Sequence, residues 1–101
     1  TVPLEPGQII SDEPGYYKAA EYGIRIENLV MVDESAVGDG PFLEFETLTL
    51  APIDTRPIEI SLLSAEERDW LNAYHARVLK EIGPLVKGGV LSWLRQATRP
   101  I

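Results

Sequence analysis

The sequence predicts an α+β chain, with a β-rich part over residues 1–60 followed by a helical part over residues 61–101. Two observations carry that division. Up to about residue 60, short runs of β-branched and aromatic residues are separated by turn residues. Beyond it, apolar residues recur at steps of three and four, the spacing of one face of a helix.

Residues 7–12 read as a short strand, and Pro14-Gly15 reads as a tight turn, with a fixed φ followed by a permissive residue. Tyr16 and Tyr17 follow that turn. In residues 23–32 (GIRIENLVMV), Arg25, Glu27, Leu29 and Met31 fall on one face and Ile24, Ile26, Asn28, Val30 and Val32 on the other. Both faces are largely apolar, which predicts one continuous strand covered on both sides. Residues 33–41 form a polar connection containing glycine, and residues 42–50 (FLEFETLTL) a further strand that pairs with the preceding one as a hairpin. Pro52 and Pro57 bracket an extended segment leaving the sheet.

Ser64-Ala65-Glu66-Glu67 has the capping-box spacing, so a helix follows it. Trp70, Leu71, Tyr74, Val78 and Ile82 form its apolar stripe, and Gly83-Pro84 ends it. Glu66, Glu67 and Asp69 open this helix, where carboxylates meet the positive end of the helix dipole. Residues 85–98 suggest a second helix interrupted by Gly88-Gly89, with Leu91, Trp93 and Leu94 for packing.

Composition narrows the function classes. A chain of 101 residues with 45% hydrophobic content suits one small domain or a part of a larger one. The net charge of −7 and pI near 4.6 repel phosphate backbones, so nucleic acid is not an expected partner. No run approaches the roughly 20 apolar residues of a membrane span, and the first residues lack a basic and an apolar stretch. The expectation is a cytoplasmic protein without membrane contact. The absence of cysteine excludes thiol nucleophiles and cysteine-ligated zinc.

Glu13 and Glu27 are the carboxylates with chemical interest. A carboxylate in a covered strand is costly unless paired or bound to metal. Spacing alone favours an ion pair between Glu27 and Arg25, and a turn role for Glu13.

The ordered strings DEPGYY (12–17), GIRIEN (23–28), FETLTL (45–50), DWLNAYH (69–75) and WLRQATRPI (93–101) alter that balance. Together they resemble the carboxy-terminal part of Xaa-Pro aminopeptidases (aminopeptidase P), of the longer cytosolic type. DEPGYY and GIRIEN alone also suit the wider family of prolidase, methionine aminopeptidase and creatinase. The resemblance implies part of a pita-bread fold, a curved antiparallel sheet with helices enclosing two divalent metals held by two Asp, one His and two Glu. Manganese is the first expectation, with zinc or cobalt as alternatives.

By motif, Glu13 matches the first glutamate, a metal ligand that also assists proton transfer, and Glu27 matches the second, which bridges the metals. Arg25 matches an arginine that orients ligands. Tyr16 and Tyr17 are candidates for the substrate cleft. The remaining ligands are expected upstream of Thr1, so the 101 residues alone are expected to be inactive. His75, the sole histidine, reads as a surface or packing residue rather than a ligand. Glu44 and Glu46 are rival carboxylates, read as solvated and structural. The implied partners are peptides with proline in second position, the remainder of the catalytic domain, and a second copy in a homo-oligomer. The alternatives are a noncatalytic interaction or assembly module of the same ancestry, or a prolidase-like dipeptidase.

Overall fold

The computed structural model describes residues 2–101 as five strands and two α-helices: β1 (Ile9–Asp12), β2 (Gly15–Lys18), β3 (Tyr22–Arg25), β4 (Asn28–Glu34), β5 (Leu43–Thr47), α1 (Ala65–Ile82) and α2 (Gly88–Ala97). The architecture is mixed α+β, antiparallel strands followed by two helices. It divides into two compact units, one made of the described residues up to Thr49 and the other spanning Leu50–Ile101.

In the first unit, β1, β4 and β5 form an antiparallel sheet in that order, and β2 and β3 form a two-stranded ribbon. The hairpin expected between the strands at 23–32 and 42–50 is present as β4–β5, with Val32 facing Phe45. The expected single strand over 23–32 is two strands, interrupted at Ile26-Glu27. Pro14 explains the interruption: it has no N–H, so at its position the ladder loses a donor. Pro14-Gly15 is accordingly not a reversal, because Gly15 already belongs to β2. The chain reverses at Ala19–Glu21, where the Glu21 amide donates to the Lys18 carbonyl at 3.0 Å and Ala20 takes a left-handed φ of 59°. The strand region is also not covered on both sides. Asn28, Val30 and Val32 are buried, whereas Leu29 is exposed and every residue of β3 is exposed.

The second unit is built on α1. The Ser64 hydroxyl accepts from the Glu67 amide at 3.1 Å while the Glu67 carboxylate accepts from the Ser64 amide at 3.0 Å. Both halves of the capping box are thus formed. Tyr74 and Val78 of the apolar stripe form a core with Leu94 of α2, flanked by Leu50, Ile53, Leu79, Ile82 and Val86. Burial of each such side chain contributes about 1.5–3 kcal/mol. Trp70 stays half exposed and stacks in parallel on Tyr74 with ring centroids 5.4 Å apart. Gly88 and Gly89 do not interrupt the second helix but begin it; Gly88, at φ 61°, adopts a backbone that other residues rarely take.

The segment between β5 and α1 runs extended along α1. The Tyr74 hydroxyl donates to the Ala51 carbonyl at 2.9 Å and accepts from the Ala51 amide at 3.4 Å. Two residues on, the Ile53 amide donates to His75 Nε2 at 3.0 Å. Two neighbouring side chains of the helix therefore take the place of a partner strand for alternate residues of this segment. At its other end α1 holds Ile101, whose amide donates to Asn72 Oδ1 at 2.9 Å and whose carbonyl accepts from Arg68 and Asn72.

Candidate functional site

Glu13 and Glu27 lie in the gap between two ladders that share one register. On one side β1 pairs with β4, ending at Asp12 opposite Asn28; on the other β2 pairs with β3, starting at Gly15 opposite Arg25. Extending either ladder across the gap sets Glu13 opposite Glu27 and Pro14 opposite Ile26. The one backbone bond in the gap agrees with this, since the Ile26 amide donates to the Pro14 carbonyl at 3.1 Å. Hydrogen-bonded and non-hydrogen-bonded pairs alternate along an antiparallel ladder. Because Pro14 and Ile26 are bonded, Glu13 and Glu27 occupy a non-bonded pair, where facing Cα atoms approach to about 4.5 Å and side chains come closest.

Alternation also gathers the neighbours. Gly15, Tyr17, Gly23 and Arg25 share the face of Glu13 and Glu27. Arg25 Nε sits 3.1 Å from Glu27 Oε2, both side chains being about half exposed. The Arg25 guanidinium is held above its ordinary value first by its hydrogen bond with Tyr17, then by the charge of Glu27, with Glu13 adding to the effect. Both carboxylates therefore bear on one guanidinium.

Tyr17 reaches Arg25 because two glycines leave room for its ring. A Cβ placed on Gly23, its cross-strand partner, would lie 2.7 Å from Tyr17 Cδ1; one on Gly15 would lie 2.8 Å from the hydroxyl. Sequence reading ranked Tyr17 with Tyr16 as lining a substrate cleft and overlooked this seat. The signal was present in the alternation of Gly15, Tyr17, Gly23 and Arg25 at every second position. Tyr16 falls on the opposite face, where its ring tilts against Tyr22 at 6.0 Å.

The other candidates lie apart from this pair. Glu44 and Glu46 are exposed on β5, and Glu44 accepts from the Ser35 hydroxyl at 3.1 Å. His75 belongs to the second unit and is fully buried, with its Nδ1 lacking a hydrogen-bond partner. Its pKa is lowered by burial. Among the described residues no group of three or more His, Cys, Asp or Glu is arranged to hold a metal ion. The pair supplies hard oxygen donors at facing register positions, which suits part of a site for divalent cations and leaves coordination to be completed by further ligands.

Comparison with known proteins places the chain in a family. Residues 41–101 match the model described as the C-terminal region of peptidase_M24, and residues 1–34 match metallopeptidase family M24. The chain belongs to this family of metallopeptidases, and its likeness is to the carboxy-terminal region. It is 46% identical to aminopeptidase P2 of Arabidopsis thaliana, over 98% of this chain and 15% of that protein. It is equally 46% identical to a probable Xaa-Pro aminopeptidase P of Talaromyces stipitatus, over 99% of this chain and 16% of that one. The crystal structure of X-prolyl aminopeptidase from Caenorhabditis elegans, described as a cytosolic enzyme with a di-nuclear active site, superimposes with a TM-score of 0.88 at 46% identity, over 97% of this chain and 17% of that one. The chain thus spans about one sixth of the length of these relatives.

Proposed function

We propose that this chain is the carboxy-terminal part of an aminopeptidase that hydrolyses the bond between an amino-terminal residue and a following proline at a dinuclear metal centre. Residues 1–60 would then complete a pita-bread catalytic domain, and residues 61–101 form its helical extension. The observation that carries this reading is the pairing of Glu13 and Glu27 across the ladder gap, both on the face of Arg25.

Glu13 and Glu27 would hold the metals. The metals, when bound, supply a nucleophile at neutral pH and polarise the scissile carbonyl. Arg25, engaging Glu27 Oε2, fixes the direction of that carboxylate, and Tyr17 fixes Arg25. Glu13 would also take and return a proton as the peptide bond is cleaved. Manganese is the proposed metal, since carboxylate-rich sites suit it. The remaining ligands would come from the rest of the catalytic domain, so the 101 residues alone are inactive on this reading. The cytosolic description of the nematode enzyme and the half-exposed Trp70 support a cytoplasmic, homo-oligomeric parent.

The test is made in the longer parent enzyme. Glu27→Gln removes bound metal and hydrolysis of Xaa-Pro peptides, whereas Glu46→Gln leaves both near wild type. A Glu27→Gln enzyme that keeps its metal content and turnover would overturn the assignment.

A further inference from the structure

We propose that His75 is an acid-sensitive clasp: neutral, it holds the extended segment to α1 at Ile53, and protonated, it lets that segment go. The argument begins with hydrogen-bond direction. Nε2 accepts from the Ile53 amide at 3.0 Å, so it carries no proton and the neutral ring carries its proton on Nδ1. A proton taken from solvent by the Nε2 lone pair turns this acceptor into a donor facing a donor. The Ile53 amide loses its partner, and the cation is left in a fully buried site with two N–H groups and no acceptor for either.

Among the described residues no neighbour pairs with that charge. On its own helix the ring meets Tyr74, tilted at 5.8 Å and engaged with Ala51. On the facing segment the charged groups are Asp54 and Arg56, which hold each other at 2.7 Å, and Glu59, which accepts from the Ser61 amide and hydroxyl. On α2 and just after it they are Arg95 and Arg99, both cations. Burial is the cause of the lowered pKa of His75.

The segment has something to release. Residues 52–56 form one wall of a cleft of about 420 Å³, whose other wall is made by Trp93, Gln96, Ala97 and Arg99. The Tyr74 clasp on Ala51 does not run through the imidazole, so opening would begin at Ile53 and spread toward Arg56.

Amide hydrogen exchange of the isotopically labelled 101-residue chain, followed from pH 8 downward, tests this. Protection of the Ile53 amide, relative to the buried Thr98 position whose amide donates to Leu94, should fall about tenfold as His75 protonates, the equivalent of one net hydrogen bond. In His75→Gln the side-chain carbonyl can accept from Ile53 without titrating, and the Ile53 protection should become independent of pH. Equal losses in wild type and His75→Gln would overturn the proposal. So would unfolding of the whole chain before Ile53 opens. Where the variant does not fold, ¹H–¹⁵N correlation of the wild-type ring decides, since a proton on Nε2 at neutral pH is incompatible with the clasp.

Discussion

Replacement of Gly23 by Ala should disable the candidate metal site without touching any carboxylate. The new Cβ would stand 2.7 Å from Tyr17 Cδ1 and 3.1 Å from Cε1. Carbon atoms in contact settle at about 3.5–4.0 Å, so the ring must retreat by roughly 1 Å. Cδ1 is part of the rigid ring near its root, which leaves rotation about the side-chain bonds as the way out, and that rotation withdraws the hydroxyl from Arg25. Arg25 then loses its leading partner and no longer presents its guanidinium to Glu27 in a fixed direction. A misplacement of about 1 Å at a reacting centre costs about a hundredfold in rate, and loss of a group orienting a ligand costs about 10–100-fold in metal affinity. The assay is kcat/KM on an Xaa-Pro peptide together with metal content in the longer parent enzyme. A thermal melt accompanies it, to separate loss of the contact from loss of the fold. Tyr17→Phe serves as the partner variant, since it removes the hydroxyl with the ring in place and should reproduce most of the loss at little cost in stability. A folded Gly23→Ala enzyme with full turnover would refute the chain of contacts from Gly23 through Tyr17 and Arg25 to Glu27.

Three further outcomes follow from the second unit and are read on the chain itself. Tyr74→Phe keeps the stack on Trp70 but removes the donor to the Ala51 carbonyl, and should lower stability by about 0.5–1.5 kcal/mol in denaturant unfolding. Ser64→Ala removes one arm of the capping box and should cost about 1 kcal/mol, read as a lower melting temperature. Asp54 is held at about 2 by hydrogen bonds from the Arg56 side chain and amide, below its ordinary 3.8. Its contribution to stability is therefore complete above the ordinary value and lost as pH falls toward 2; Arg56→Ala should return its carbon-13 titration to the usual aspartate range.

The helical half of the molecule was largely legible because its signals are local. Ser64 and Glu67 cap within one turn, and Tyr74 and Val78 recur at the helical period. The glycines were misread, since Gly88-Gly89 looks like an interruption until the backbone shows a helix starting there. In the β-rich half, alternation located the strands and the hairpin, but alternation is blind to what covers a face and to where a ladder fails. Residues 23–32 show an unbroken pattern on both faces, and nothing in that run reveals that Pro14, on the opposing strand, removes a donor. The motifs marked Glu13 and Glu27; only the register showed them to be partners across one gap. The binding of Ala51 and Ile53 by Tyr74 and His75 joins residues more than twenty positions apart and has no local signature.

The gap also bears on why a cation suits this place. Like charges directly opposite one another on paired strands are destabilising, and the non-bonded position brings them closest. A strand pair selected for stability alone would not set Glu13 against Glu27. Arg25 relieves part of the repulsion, yet one guanidinium against two carboxylates leaves a net negative charge, and Arg25 engages Glu27 through a single oxygen. An exposed pair of that kind is screened by solvent and offsets the repulsion weakly. Divalent cations change the balance, because they attract both carboxylates at once and draw their oxygens to a common centre. On the proposed assignment, the local cost of the acidic pair in the metal-free chain is the counterpart of metal binding there, and it predicts that Glu13→Gln makes the metal-free protein more stable while making the metal-loaded parent less so.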